Sequence, residues 1–84
     1  MMNKILYFSA DWCGPCKILG PELDKLRVEG MPIQKIDVDK RSDLSTKYSV
    51  RNIPSLILVD EFGNELKRLV GNQPANAIKN WYNN

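Results

Sequence analysis

The sequence has no histidine and only two cysteines among its 84 residues. A structural zinc ion takes about four ligands, mostly cysteine sulfur or histidine nitrogen. The chain therefore does not supply the usual zinc set, and such a site would have to be shared between subunits or completed by carboxylates. We predict no metal site and no cofactor beyond the two sulfur atoms.

Long apolar runs and runs of basic residues are also missing. The apolar stretch at 5–8 is far too short for a membrane span or for the core of a signal peptide, and Asp11 soon follows it. The formal net charge is +2, with acidic and basic residues interspersed, which gives no signature of nucleic-acid or membrane binding. We expect a cytoplasmic monomer that binds neither nucleic acid nor membranes.

The remaining composition is that of an ordinary soluble domain, with 43% hydrophobic and 26% charged residues. A chain of this length has room for one small core. We therefore predict a single domain, 1–84, with one sheet and helices on its faces.

Apolar periodicity and turn residues predict the order of helices and strands. Strands are predicted at 4–8, 33–39, 55–59 and 65–70, and helices at about 13–28, at 42–48 and from Pro74 onward. Ser42 or Asp43 is the expected cap of the second helix. The first helix connects two strands, so these strands should be parallel, and the turn at 61–64 should close a hairpin.

Both cysteines lie where the first strand ends and the first helix begins, in Trp12-Cys13-Gly14-Pro15-Cys16-Lys17. A reactive cysteine needs its thiolate stabilised, and the unpaired N–H groups of a helix N-terminus do this. We expect Cys13, at the helix start, to face solvent and attack a substrate disulfide. Cys16, one turn further in, should be more shielded and resolve the mixed disulfide.

The residues between the cysteines suit this chemistry. Pro15 is tolerated in the first turn of a helix and stiffens the connection, and Gly14 leaves the approach to Cys13 open. A bridge over so short a loop stabilises a fold by roughly 1.8 kcal/mol, against about 4.7 kcal/mol for a hundred-residue loop. The bridge is therefore better suited to opening and closing than to holding the fold, although a pair of inert buried thiols is an alternative.

This motif resembles the active site of thioredoxins, and Pro21 matches a proline in the helix that follows it in that family. The resemblance implies a thioredoxin-like α/β fold, β-α-β-(α)-β-β-α. Its minimal four-stranded mixed sheet would have the order 2-1-3-4, with strand three antiparallel to strand one. The strand and helix with which most thioredoxins begin have no counterpart before Lys4, which gives a chain of glutaredoxin size.

The resemblance also implies a substrate groove. Pro54 matches a proline that is cis and faces the cysteines in the family, and Ile53 would offer its backbone to an extended substrate segment. Trp12 matches an exposed tryptophan, and Gly71 a glycine beside the groove. The predicted groove residues are Trp12, Gly14, Pro15, Ile53, Pro54 and Gly71. The alternatives are a proline at a strand entrance, a core tryptophan and a turn glycine.

The sequence departs from the family beneath the cysteines. Tyr7 occupies the position of a buried aspartate that helps deprotonate the resolving cysteine, and tyrosine is a poor base at neutral pH. Lys35 matches the lysine that accompanies that aspartate, and Ser9 replaces a tryptophan. We predict that Cys16 resolves slowly or loses its proton through water.

Two charged residues, Asp11 and Lys17, flank the motif. They should tune the local potential, although ordinary surface charge explains them equally well. The set of predicted modulating residues is Tyr7, Asp11, Lys17 and Lys35.

These patterns predict a dithiol–disulfide oxidoreductase that reduces protein disulfides and is recycled by a thioredoxin reductase or by glutathione. A glutaredoxin-like, glutathione-dependent enzyme is the first alternative. The second is a binding subunit that holds a partner protein in the groove and for which redox activity is incidental.

Overall fold

The computed structural model describes residues 3–84. Its elements, in chain order, are β1 (Lys4–Ser9), α1 (Gly14–Val28), β2 (Ile33–Asp37), α2 (Ser42–Lys47), β3 (Ser55–Val59), β4 (Glu65–Val70) and α3 (Ala75–Asn83). None of the helices within these residues is both long and apolar enough to cross a membrane.

The strands form one mixed sheet in the order β2-β1-β3-β4. β1 is parallel to β2 and antiparallel to β3, and β3 is antiparallel to β4. The predicted sheet order and strand directions are confirmed. The register places Tyr7 of β1 opposite Lys35 of β2 and Leu56 of β3.

Side chains alternate across the sheet, so β1 contributes to two cores. On the side that we call the α1 face, Ile5 and Tyr7 pack with residues of α1, β3 and α3: Leu19, Leu23, Leu26, Leu56, Leu58 and Ile78. On the opposite side, the α2 face, Leu6 and Phe8 pack with Ile36, Tyr48, Ile57 and Val59. The sheet is thus covered on both faces, which explains why β3 is a continuous apolar run.

Only β3 and β4 have the predicted bounds; β1 and α1 differ by one residue at one end, and the differences at β2, α2 and α3 have structural causes. β2 stops at Asp37 because the Asp37 carboxylate accepts the backbone N–H of Asp39 at 2.9 Å, which turns the chain. The N-cap of α2 is Arg41, not Ser42 or Asp43, and it makes no side-chain capping hydrogen bond; the Asp43 carboxylate binds the Arg41 guanidinium. α3 begins at Ala75, one residue later than predicted, and Pro74 is its N-cap instead of its first residue.

Candidate active site

Cys13 is the N-cap of α1, and its extended backbone (φ −85°, ψ 106°) ends the loop after β1. It forms a disulfide with Cys16, with the two Cα atoms 5.3 Å apart. Cys13 Sγ accepts a hydrogen bond from the Cys16 N–H at 3.2 Å. This N–H is one of the unpaired donors of the first helical turn. Once the bridge opens, it can stabilise negative charge on Cys13 Sγ.

The prediction of a solvent-facing Cys13 beside a more shielded Cys16 is wrong for the bridged pair, because Cys13 is 4% exposed and Cys16 5%. Both pack with Ala10, and Val38 and Ile53 cover the cluster from loops that are distant in sequence. The two sulfurs therefore differ in surroundings rather than in exposure. Cys13 lies at the helix N-terminus, and Cys16 borders a cleft behind it.

The predicted groove residues lie around this pair. Trp12 is 68% exposed, which excludes the alternative of a core tryptophan, and its Nε1 donates to Asp39 Oδ2 at 2.8 Å. The Ile53–Pro54 peptide bond is cis, as the resemblance implies. Gly71 has a positive φ of 90°, and its N–H donates to the Pro54 carbonyl at 2.9 Å.

Gly14 and Pro15 form the start of α1, directly after the Cys13 cap. No heavy atom outside the immediate chain neighbours lies within 4 Å of a Cβ built on Gly14. The space beside Gly14 is therefore open, and the predicted access of a substrate to Cys13 stays a prediction.

Tyr7 lies beneath the second cysteine. Its side chain is buried, and its Oη donates a hydrogen bond to the Cys16 carbonyl at 3.0 Å. Burial raises the pKa of Tyr7 above its ordinary value because the charged form loses hydration, and this outweighs the opposite effect of the nearby Ser9 hydroxyl. At neutral pH Tyr7 is therefore a hydrogen-bond donor that fixes the first turn of α1 to the sheet, and it does not act as a base.

The cleft beside Cys16 has a volume of about 430 Å³. It brings together the whole set of predicted modulating residues, namely Tyr7, Asp11, Lys17 and Lys35. The remaining lining residues, for which sequence reasoning predicted no role at this site, are Ser9, Ala10, Gly20, Asp24 and Arg27. No cluster of three or more potential metal ligands occurs in the part of the chain that the structure describes.

Asp39 is a site residue that sequence reasoning missed, although a signal for it exists. β1 and β2 are parallel neighbours, so the residues that follow their C-terminal ends meet at the same edge of the sheet. Trp12 follows β1 and Asp39 follows β2. The predicted second strand, 33–39, ends on Asp39, so the same rule applied to the predicted strands already places Asp39 at the edge of the sheet where Trp12 follows strand one.

A cysteine pair that opens a helix on this sheet defines a dithiol–disulfide oxidoreductase. The thioredoxin family matches residues 2–84 of the chain. The sequence is 38% identical to thioredoxin of Mycoplasma genitalium, over 98% of this chain and 81% of the relative. It is also 38% identical to thioredoxin of Bacillus subtilis, over 90% of this chain and 75% of the relative.

Solved structures agree with this assignment. A point mutant of thioredoxin from Halobacterium salinarum superposes with a TM-score of 0.86 at 36% identity, over 94% of this chain and 70% of that one. A structure described as a malarial protein gives the same TM-score at 29% identity, over 99% of this chain and 96% of that one. The chain belongs to the thioredoxin family, and it is a thioredoxin-type disulfide reductase whose redox group is the Cys13–Cys16 pair.

Proposed function

We propose that the protein reduces disulfides of protein substrates with Cys13 as nucleophile and Cys16 as resolving cysteine. The Cys13 thiolate attacks one substrate sulfur, and the other substrate sulfur leaves as a thiolate. Cys16 then loses its proton and attacks Cys13 Sγ. This closes the Cys13–Cys16 disulfide and releases the second substrate thiolate. The observation that carries this order is the hydrogen bond from the Cys16 N–H to Cys13 Sγ at the helix N-terminus.

The substrate segment lies across the groove residues in this proposal. Ile53 packs against the cysteines, so a segment paired with its backbone would bring a disulfide close to Cys13. The Gly71 N–H bound to the Pro54 carbonyl fixes one wall of the groove. The exposed Trp12 ring, held by Asp39, supplies an apolar contact on the other side of Cys13.

The proposal includes the setting in which the protein acts. A lone redox pair suits a reducing compartment, so we infer a cytoplasmic protein that acts as a single-domain monomer. A thioredoxin reductase is the electron donor that fits the family. Insulin reduction supported by a thioredoxin reductase, but not by glutathione with its reductase, is the expected result, and the reverse preference would favour the glutaredoxin-like alternative.

Single cysteine variants test the assigned order. Cys16→Ser should form a stable mixed disulfide with a substrate protein, because nothing displaces the substrate from Cys13. Cys13→Ser should form none under the same conditions. Mass spectrometry of the non-reduced adducts measures both. Equal trapping by the two variants would contradict the assignment, and a Cys13→Ser/Cys16→Ser variant that keeps its biological function would favour the binding-subunit alternative.

A further inference from the structure

The cleft beside Cys16 exists because small residues line it. Ser9, Ala10 and Gly20 form part of its wall, and a Cβ built on Gly20 meets no heavy atom within 4 Å beyond its chain neighbours and its own helix. The volume of about 430 Å³ has room for on the order of ten water molecules at about 30 Å³ each. A small molecule therefore fits directly behind the resolving cysteine.

Ser9 adds an unused polar group to this wall. The residue is 2% exposed, and its Oγ, although near the Tyr7 hydroxyl, has no hydrogen-bond partner among residues 3–84. A buried hydroxyl without a partner costs free energy in a folded protein. The Oγ atom is itself buried behind the wall, so it marks imperfect packing beside the cleft and not a contact for a molecule inside it.

The charges around the cleft favour an anion. Three cationic side chains line it, Lys17, Arg27 and Lys35, against two carboxylates, Asp11 and Asp24. Arg27 and Asp24 pair with each other at 2.9 Å. The remaining three charges leave one positive charge in excess, and a concave site with an excess of one sign concentrates counter-ions.

The β1 position beneath Cys16 supplies no base for the Cys16 proton. Tyr7 holds the family's position for a buried carboxylate, but its hydroxyl is committed as a donor to the Cys16 carbonyl. The resolving step nevertheless requires that Cys16 lose its proton before it attacks. A proton acceptor therefore has to come from another direction, and Cys16 lines the open cleft, where Asp24 is paired with Arg27 and Asp11 is the other carboxylate.

We propose that a small diffusible oxyanion, of the class of hydrogen phosphate, enters this cleft and acts as the general base for Cys16. The anion takes the Cys16 proton, the Cys16 thiolate forms a bond to Cys13 Sγ, and the substrate sulfur leaves with the bonding electron pair. The protonated anion then returns to solvent. This inference rests on the proposed function, because it assumes that Cys16 resolves the mixed disulfide.

A chromogenic aromatic disulfide separates the two steps in one stopped-flow trace. Reduced protein releases the first aromatic thiolate when Cys13 attacks and the second when Cys16 resolves. At constant pH and ionic strength, the rate of the second phase should rise with phosphate concentration. We expect a gain of about tenfold, below the 10²–10⁴-fold typical of a positioned base. A bulky cationic buffer of similar pKa should give no such gain.

Substitutions of residues that line the cleft test whether phosphate acts from within it. Lys35→Gln removes the excess positive charge and should lower the phosphate slope about threefold. Lys25→Gln, on α1 and outside the cleft lining, makes the same charge change and should keep the slope. Gly20→Leu fills the cleft and should abolish the slope. Since Pro21 crowds a Cβ on the preceding residue, the circular dichroism of this variant is compared with wild type.

The outcomes distinguish the two proposals. A trace without any second phase would overturn the assigned roles of the cysteines. If the second phase is present but its rate does not depend on phosphate concentration, the proposal of an external base is overturned and the roles of the cysteines stand. An equal loss of slope in Lys35→Gln and Lys25→Gln would also overturn the cleft as its site of entry.

Discussion

Each face of the sheet has one buried tyrosine and one buried serine, but the hydrogen bonding of their hydroxyl groups differs between the faces. On the α2 face, Tyr48 Oη donates to the Gly63 carbonyl at 2.6 Å and the Ser55 hydroxyl donates to the Asn52 carbonyl. On the α1 face, Tyr7 Oη donates to the Cys16 carbonyl. Ser9 Oγ, in contrast, is buried without a partner in the described chain.

The surroundings of these hydroxyl groups also differ between the two faces. On the α2 face the Tyr48 ring also packs against Phe8, with centroids 6.1 Å apart, and its carbonyl accepts from Arg68. Both hydroxyls there have a hydrogen-bond partner, although Tyr48 also borders a surface cleft of about 630 Å³. On the α1 face the same residue types border an open cleft next to a redox cysteine. Each face therefore borders a cleft, and within residues 3–84 the one on the α1 face is the one that also borders a redox cysteine and the unpartnered Ser9.

The largest expected effect comes from Tyr7→Asp, which converts the α1 face to a site with its own base. We expect faster resolution by Cys16 near neutral pH and a second phase that no longer depends on phosphate. Loss of a buried ring should lower the free energy of unfolding by about 3 kcal/mol or more. Urea denaturation and the two-phase release of aromatic thiolate measure these changes.

Tyr48→Asp is the control for this substitution on the opposite face. It removes a similar ring from the other core and should destabilise the protein comparably without accelerating resolution. An unchanged or slower second phase in folded Tyr7→Asp would contradict the view that Cys16 lacks a base at the Tyr7 position of β1.

The next largest effect is expected when the hydroxyl groups of the two tyrosines are removed one at a time. Tyr7→Phe and Tyr48→Phe should each lower the free energy of unfolding by about 1 kcal/mol, the usual net value of one hydrogen bond. Only Tyr7→Phe should slow the second phase, by up to roughly tenfold, because its bond to the Cys16 carbonyl positions the helix turn that carries the attacking sulfur. Equal kinetics in the two variants would assign Tyr7 a purely structural role.

The sequence predicted the fold well where local pattern and topology agree. The bounds of β3 and β4 match the prediction, because a continuous apolar run and a turn around Gly63 define them. The cap of α2 was mispredicted because capping depends on which partner a side chain selects. Asp43 binds the Arg41 guanidinium, and residue type alone does not reveal such a side-chain partner.

For the candidate site too, the sequence predicts the features that are local in the chain and misses those that depend on distant residues. The spacing of Cys13 and Cys16 predicted a redox pair at a helix start, because both the motif and the helix are local features. The burial of Cys13 depends on Val38 and Ile53, which arrive from two other loops. The cleft forms where Gly20 and other small residues lie next to each other in the fold. Apolar periodicity in the sequence does not predict such an open volume.

The smallest expected effect is the change in the free energy of unfolding when each of the two buried serines is replaced by alanine. The sign of this change shows whether the removed hydroxyl has a hydrogen-bond partner. Ser55→Ala should lower the free energy of unfolding by about 1 kcal/mol, because the Asn52 carbonyl loses its donor. Ser9→Ala should leave it unchanged or raise it by up to about 1 kcal/mol, because the removed hydroxyl has no partner in residues 3–84. Denaturant midpoints at equal m-values measure both. If Ser9→Ala destabilises as much as Ser55→Ala, the Ser9 hydroxyl is satisfied in solution and the contrast between the faces is lost.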